Sequence, residues 1–308
     1  MRSYLLNRLL WFFPVMFGVS LVVFFFIHLT PGDPVLLMLG ESAQSAQILS
    51  LRHQLHLDLP LYRQLILFFA DLFSGRMTSI FFKQPVFTVI APKLLATVEL
   101  ACFAMIVAIL IALPIGILSA LKKNTWLDFF ARVFSLLGVS VPNFWLGPLL
   151  IILFSLLLGW LPVSGKGGLS HLILPGLTLG LAMSGFLSRM CRASMLEVLS
   201  APYLETARAK GFGEARVILK HALRNALIPI LTVIGLQFGA LLSGAFITET
   251  VFAWPGIGRL LINAIFSRDF PLVQACVLVI AATYLLVNLL VDIAYAVVDA
   301  RVRLWRER

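Results

Sequence analysis

Side chains that could do chemistry are few in this sequence, and most of them fall on one face of one segment. Tyr284, Asn288, Asp292, Tyr295 and Asp299 recur at intervals of three or four residues, which places them on one side of a helix. A carboxylate inside an apolar helix is costly, so Asp292 must face protein or water. The stripe predicts either the lining of a polar pathway or gate, or a polar contact between helices.

Gln237, in an earlier apolar segment, is a similar case, and we group it with Asn288 and Asp292 as candidate pathway residues. The sequence gives less support to a disulfide, a metal site or a phosphate-binding loop. The three cysteines show no paired spacing and predict neither a disulfide framework nor a metal site. The glycines at 165–168 flank a lysine but lack the spacing and the Ser or Thr of a phosphate-binding loop. We therefore expect no metal, no cofactor and no enzymatic activity on this chain.

The composition places these residues in a membrane. The chain is 60% hydrophobic and 12% charged, with a mean hydropathy of +1.00. Six stretches lack Asp, Glu, Lys and Arg, and each exceeds the roughly 20 residues that a helix needs to cross a bilayer. These stretches are 9–32, 100–121, 133–165, 167–188, 225–248 and 270–291. We predict an all-α integral membrane protein with six spans, the first retained rather than cleaved as a signal peptide.

Basic residues give the predicted orientation. Sixteen of the 24 Lys and Arg lie in segments that are cytoplasmic if the N-terminus is inside. Both termini are then cytoplasmic, and the net charge of +10 reflects this bias and attraction to anionic lipid rather than nucleic-acid binding. Small residues recur every four positions in the second, fourth and fifth spans, which predicts that these three spans form the inner bundle.

Two outer segments carry patterns of their own. Within 33–95, Ile48, Leu51 and Leu55 precede Pro60 at helical spacing, and Leu61, Leu65, Phe68 and Leu72 follow it. Two amphipathic helices are predicted there, at the interface or in a small cap. The stretch 249–271 combines Trp254 with a Pro-Gly break and a short apolar helix. It predicts either a re-entrant plug or an interfacial anchor.

A basic helix-turn-helix pattern occupies 203–225, between the fourth and fifth spans. Ser200 is placed to cap a helix that begins near Pro202, and Gly211 to end it in the left-handed conformation. A second helix from about Glu214 then leads into the fifth span. The residues alone allow either a structured knob on the cytoplasmic face or an ordinary loop that obeys the charge bias.

The knob resembles the coupling motif of ABC importer permeases, which runs Glu-Ala-Ala, three residues, Gly, nine residues, Ile, one residue, Leu-Pro. Glu205, Thr206 and Ala207 match its first three positions, Gly211 its glycine and Leu223 its leucine. The sequence departs from it with Thr206, His221 and Arg224. The ending His-x-Leu-x-Asn, here 221–225, is similar to that of permeases for dipeptides, oligopeptides and nickel.

The resemblance extends along the chain. Similar members carry Thr-Pro-Gly-Asp-Pro, here 30–34, and Leu-Asp-x-Pro-Leu-Tyr, here 57–62. They also carry Pro-x-Phe-Trp-Leu, here 142–146, and Phe-x-Trp-Pro-Gly-x-Gly, here 252–258. The sequence GRMTSI at 75–80 departs from the family pattern, and this departure predicts a trimmed outer subdomain.

The resemblance implies three parts and a set of partners. The parts are an N-terminal span at 1–32, an extracytoplasmic helical subdomain at 33–95 and a permease core at 96–308, whose coupling helix is 201–211. The implied partners are a second, similar permease, two cytoplasmic ABC ATPases that hold ATP and Mg²⁺, and an extracytoplasmic solute-binding protein. The implied location is the bacterial inner membrane.

The resemblance also assigns residues. The implied contacts with the ATPase are Tyr203, Glu205, Thr206, Ala207, Arg208, Lys210 and Gly211. For docking of the binding protein the candidates are Trp254, Arg259 and Arg268. The solute is left open among peptides, nickel and nickel chelates. The alternative is a secondary transporter or channel without an ATPase, which would need coupling groups at mid-membrane.

Overall fold

The computed structural model describes residues 2–29, 33–39 and 44–298, and throughout these ranges the regular elements are helices. In the N-terminal part they are α1 (Arg2–Leu29), α2 (Pro34–Leu39), α3 (Ser45–Gln54) and α4 (Leu61–Ser74). The middle contains α5 (Val86–Leu121), α6 (Trp126–Ser140), α7 (Asn143–Leu150), the π-helix π1 (Ile151–Leu157) and α8 (Leu169–Leu199). The remainder is α9 (Pro202–Ala209), α10 (Glu214–Arg216), the π-helix π2 (Val217–Ala222), α11 (Leu223–Gly244), α12 (Phe246–Val251), α13 (Ile257–Phe266) and α14 (Phe270–Val298).

Four candidate membrane spans are long and apolar enough by length and composition, among the described residues. They are Val86–Leu121, Leu169–Leu199, Glu214–Leu242 and Phe270–Val291. The pair formed by α6 with α7 and π1 is a fifth if it counts as one span, although it is bent by 104°. The first predicted span corresponds to α1, whose apolar part Leu10–Phe26 is shorter. The all-helical prediction is confirmed, and six spans stay a prediction.

The limits of the second and third predicted spans differ from those of the helices in a way that matters for the fold. The third was predicted at 133–165, but α6 begins earlier, at Trp126, and the chain turns sharply at Val141 and Pro142. The second was predicted at 100–121, but α5 begins at Val86 and so crosses the boundary that we predicted at 95. The predicted stretch ended at Glu99 because it was defined by the absence of charge, whereas α5 continues through Glu99 and Lys93 to Val86.

The second, fourth and fifth predicted spans do pack together, as α5, α8 and α11. Close backbone approach explains this packing of α5 and α8. A Cβ added to Gly180 would lie 2.9 Å from the carbonyl oxygen of Ala104, and one added to Gly116 would lie 2.6 Å from the Cβ of Cys191. Only residues without side-chain bulk allow such contact, and van der Waals packing of this kind holds helices together in lipid.

The outer segment folds into the two predicted helices, α3 and α4, with Pro60 at the N-cap of α4. The apolar face of α4 packs against α1. Phe68 lies 5.5 Å from Phe24 between ring centroids, and Phe69 stacks on Phe17 at 5.7 Å. Buried residues of α13 and α14 complete the same apolar cluster, so this segment is attached to the membrane helices rather than suspended as a free loop.

Candidate functional site

The predicted knob is a helix, α9, set between α8 and the run of helix that ends in α11. Pro202 stands at its first turn, where its missing N–H costs nothing. The predicted cap by Ser200 is wrong, because the Ser200 hydroxyl donates to the carbonyl of Glu197 at 2.7 Å. Ala201 is the N-cap residue instead and makes no side-chain bond there. The helix therefore depends on Pro202 and on tertiary packing for its start.

Gly211 ends this segment as predicted. Its φ is +80°, in the left-handed region, and its N–H donates to the carbonyl of Arg208 at 2.9 Å. A Cβ at this position would meet nothing within 4 Å. The requirement for glycine is thus conformational and not steric.

The inner face of α9 is part of the protein core. Leu204 is completely buried and Ala207 is nearly so. They belong to one apolar cluster with residues of α5, α8, π2 and α11, which are Ala112, Ala120, Leu187, Cys191, Met195, Val217, Ala222, Ala226 and Ile230. Ala207, which the family motif placed among the ATPase contacts, therefore supports the helix from beneath.

The outer face of α9 and its turn are exposed and carry charge. Of the residues that the motif assigns to the ATPase contact, all but Ala207 are exposed, namely Tyr203, Glu205, Thr206, Arg208, Lys210 and Gly211. Arg208 donates two hydrogen bonds to the carboxylate of Glu214, at 2.9 and 3.1 Å. This bidentate pair crosses the glycine turn and links α9 to the next helix.

The His-x-Leu-x-Asn ending has a structural role that the sequence did not reveal. The amide Nδ2 of Asn225 donates to the hydroxyl of Tyr203 at 2.7 Å, and that hydroxyl donates to the carbonyl of His221 at 3.1 Å. Asn225 Nδ2 also lies 3.2 Å from the same carbonyl. The ending thereby fastens α9 to the start of α11.

A second polar centre lies at the other end of α8 from α9, around Glu249. This carboxylate is fully buried and accepts hydrogen bonds from the Thr97 hydroxyl at 2.6 Å and from the Arg259 N–H at 2.9 Å. Gly256 is required here, because a Cβ on it would lie 2.1 Å from the carboxyl carbon. The Phe-x-Trp-Pro-Gly-x-Gly motif is therefore a loop folded around a buried carboxylate.

Trp254, predicted at headgroup depth and as a docking residue, lies inside the protein instead. Its side chain is 0% exposed and its Nε1–H donates to the carbonyl of Ala96 at 2.9 Å. No residue near Trp254 in the sequence indicates Ala96 as its partner, and the local pattern therefore predicted a membrane anchor. Lys166 lies 5.4 Å from the Trp254 ring and pairs with Glu99.

The other two docking candidates have different surroundings. Arg259 is half-buried, and its Nη1 donates to the carbonyl of Ala253 at 2.7 Å. Arg268 is exposed, at a φ of +54° just after α13. Of the three predicted docking residues, Arg268 alone has an exposed side chain.

The candidate pathway residues do not share one site in the described structure. Tyr284 and Asn288 share one face of α14, as predicted, and line a cavity of about 400 Å³ together with Thr232 of α11 and Trp11 of α1. Gln237 is absent from that lining, and its Nε2 is buried without a partner among the described residues. The side chains of Asp292 and Tyr295, and all of Asp299, lie outside the described part of the structure.

Sequence reasoning missed the ion pair between Asp128 on α6 and Arg192 on α8. Asp128 is 0% exposed, and Arg192 donates to both of its oxygens, at 2.7 and 2.9 Å. A signal was present, since Asp128 is a lone acid between Lys123 and Arg132. The excess of basic residues in this segment predicts its side of the membrane, but it does not indicate a partner for the acid.

Comparison with known proteins places this architecture in a family. The family described as "binding-protein-dependent transport system inner membrane component" matches residues 112–304, and its N-terminal counterpart matches residues 1–101. The chain belongs to this family. It is accordingly an ABC importer permease of the peptide type, a multi-pass protein of the bacterial inner membrane, in a family whose ATPase resides on partner subunits.

Individual relatives agree over nearly the whole length. The dipeptide transport system permease DppB of Alkalihalophilus pseudofirmus is 43% identical over 98% of this chain and 100% of its own. The glutathione transport system permease GsiC of Escherichia coli K12 is 43% identical over 98% and 99%. Among solved structures, an inward-facing MetNI methionine ABC transporter matches with a TM-score of 0.57 at 20% identity, over 70% of this chain and 98% of that one. This last likeness concerns the fold alone.

Proposed function

We propose that this permease forms half of the translocation pore of an ATP-driven importer of small peptides. In this proposal it pairs with a second, similar permease, two cytoplasmic ATPases and an extracytoplasmic solute-binding protein. Its six spans, counting α1 and the bent pair as one each, leave both termini in the cytoplasm. The distribution of Lys and Arg supports that orientation.

One observation carries the coupling role: α9 has a buried apolar inner face and an exposed charged outer face. An ordinary loop needs neither. A short helix that is packed into the core on one side and open on the other can pass an external push into the protein. Glu205, Arg208 and Lys210 are the residues that we propose to contact the ATPase.

The proposed mechanism is a rigid-body transfer. When the two ATPases close on ATP, the groove that holds α9 moves, and the helix moves with it. Because Leu204 and Ala207 are buried among residues of α5, α8 and α11, these spans follow. Coupling further requires that the closed and open ATPases contact α9 differently. ATP and Mg²⁺ are held by the partner subunits in this scheme.

The proposed solutes are peptides of the size of dipeptides or glutathione. Support comes from the relatives, which are named for dipeptide and glutathione transport. For the binding protein we propose a docking surface at the end of the molecule away from α9, with Arg268 and Lys166 as its basic residues and without Trp254.

Reconstituted transport tests this function. The complex would be purified through a tag on this chain and placed in liposomes with its binding protein. We expect uptake of radiolabelled dialanine or glutathione that requires ATP and stops when the Walker lysine of the ATPase is replaced. Uptake driven by an ion gradient without ATP would support a secondary transporter, and ungated passage would support a channel. Either result would overturn the proposal.

A further inference from the structure

The contact between α6 and α8 includes a fully buried carboxylate whose oxygens are both occupied. Oδ1 of Asp128 accepts from the Ser119 hydroxyl at 2.6 Å and from Arg192 Nε at 2.7 Å. Oδ2 accepts from Arg192 Nη2 at 2.9 Å and from the N–H of Asn124 at 3.0 Å. One side chain thus joins the end of α5, the following turn, the start of α6 and the lower part of α8.

The same two helices are held together at further points. The hydroxyls of Ser135 and Ser188 lie 2.7 Å apart. One helical turn further along, a Cβ on Gly185 would lie 3.0 Å from the Cα of Gly138. We call these contacts, together with the Asp128–Arg192 pair, the α6–α8 seam. Along the seam α6 has no room to slide on α8.

The seam ends close to α9. Arg192 lies seven residues before Leu199, which ends α8, or about 10 Å along the helix axis at the usual rise. Its neighbours Cys191 and Met195 are buried in the apolar cluster that contains Leu204 of α9. That cluster ties α9 to α5, α8 and α11 but includes no buried residue of α6. The α6 helix is therefore reached from α9 through α8 and through the end of α5, and Asp128 is bonded on both routes, to Arg192 and to Ser119.

We propose that Asp128 and Arg192 are positioning residues that make α6 move with α9 during the transport cycle. This inference rests on the proposed coupling function and adds α6 to the moving body. The α6 helix is in turn connected to the far side of the protein. The next helix after the bend is α7, and its Gly147 packs against Phe252.

The physical argument is one of geometry rather than of stability. A buried ion pair often contributes less to stability than well-packed apolar residues would. A bidentate arginine–carboxylate pair, however, fixes distance and angle at once because both partners are planar. Such a pair fits a joint that must carry force without slipping.

Four variants separate a coupling role from a merely structural one. R192Q leaves the buried carboxylate with only the longer and more exposed contact to Arg132, and is expected to impair folding. The double variant D128N/R192Q removes both charges and is expected to restore assembly. R192K keeps the charge but lacks the two-bond fork. R132Q is the matched control, because Arg132 lies 3.7 Å from Asp128 Oδ1, is 55% exposed and does not reach α8.

The measured quantity is the amount of radiolabelled dipeptide taken up per ATP hydrolysed by the reconstituted complex, with assembly followed by co-purification of the ATPase. We expect D128N/R192Q to assemble and to hydrolyse ATP. Its uptake per ATP is expected to fall at least about fivefold, which is the effect of a coupling at the weak end of the typical range. R192K is expected to fall between the double variant and wild type, and R132Q to match wild type.

Wild-type uptake per ATP in D128N/R192Q would overturn the inference, and so would an equal loss in R132Q. If D128N/R192Q does not assemble, the test rests on R192K. Wild-type uptake per ATP in R192K would then overturn the inference. A wild-type complex without ATP-dependent uptake would instead overturn the proposed function itself, so the two failures are distinguishable.

Discussion

The hydroxyl of Thr97 connects two parts of the chain that are 152 residues apart, donating to Glu249 Oε1 at 2.6 Å. The same hydroxyl accepts the N–H of Ile257 at 2.9 Å. It therefore stands between the buried carboxylate and the first turn of α13, and no other described contact makes both connections. Among the described side-chain hydrogen bonds, those of this oxygen and of the Trp254 indole join the segment from α12 to α13 to α5.

Replacing Thr97 by Val keeps the shape of the side chain and removes both hydrogen bonds. We expect a loss of about 1 to 3 kcal/mol in the free energy of unfolding, because a buried acceptor and a buried N–H are left unsatisfied. Denaturation of the purified protein in detergent measures it. Thr178→Val is the matched control, since Thr178 is equally buried but bonds only to the carbonyl of Leu174 in its own helix. Equal losses in the two variants would contradict the prediction.

Glu249, which lies on α12 between two spans, predicts a dependence of stability on pH. Burial raises the pKa of this carboxyl, against the opposing effect of the hydrogen bonds from Thr97 and the backbone. The folded protein then holds the proton more tightly than the unfolded chain does. The stability gained from the neutral form is present below the unfolded pKa and is lost as the pH rises through the folded pKa.

The variant Glu249→Gln isolates this effect, because glutamine does not ionise. We expect the free energy of unfolding of wild type, measured relative to this variant, to fall as the pH rises from acidic to neutral. The measurement is denaturation of both proteins over the same series of buffers. A constant difference across that range would show that the carboxyl ionises as easily in the fold as in the unfolded chain, and one that grows with pH would show that it ionises more easily in the fold; either would contradict the prediction.

Local patterns predicted much of the fold and of the coupling site. The helices on either side of Pro60, the helix at Pro202 and the left-handed Gly211 follow from residues within a few positions of one another. Spacing, a proline at the first turn and a glycine beyond the last are enough for such elements. The small-residue faces of α5 and α8 also indicated their contact, because such faces let two helix backbones approach closely.

Contacts between distant residues could not be predicted in this way. Nothing near Trp254 in the sequence indicates that Ala96 offers it a carbonyl oxygen, and Asp128 and Arg192 lie in segments that were assigned separately. The bend after α6 was missed for another reason. Composition shows that this stretch is apolar. It does not show whether Pro142 ends one helix or only kinks it.

The Tyr203 hydroxyl offers a test of how firmly α9 must be held. Tyr203→Phe removes the hydrogen bonds to Asn225 and His221 and leaves the ring in place. We expect a modest loss, of about 0.5 to 1.5 kcal/mol, in the local stability of α9, together with weaker stimulation of the ATPase by the binding protein. Hydrogen exchange over 202–211 and ATPase assays measure the two effects. Faster exchange without any change in ATPase stimulation would separate the stability of α9 from its proposed function.

The proposed orientation can be tested by labelling single cysteines in intact cells. In a Cys102→Ala background, which removes the one exposed native thiol, Lys122→Cys is expected to resist a membrane-impermeant reagent until the cells are opened. Asp58→Cys is expected to react at once. The reverse pattern would invert the topology and place α9 outside the cell, where no ATPase could reach it.

Gly211 gives the most direct test of the coupling turn. Gly211→Val is expected to cost upwards of about 1 kcal/mol locally, because a β-branched residue resists a φ of +80°. The open space around this position excludes a clash as the cause. We expect normal membrane insertion, with reduced co-purification of the ATPase or reduced stimulation of its activity. Gly213→Ala is the control, since Gly213 has a φ of −61° and equally open surroundings. Transport at the wild-type rate in Gly211→Val would show that the angle set by this turn does not matter to coupling.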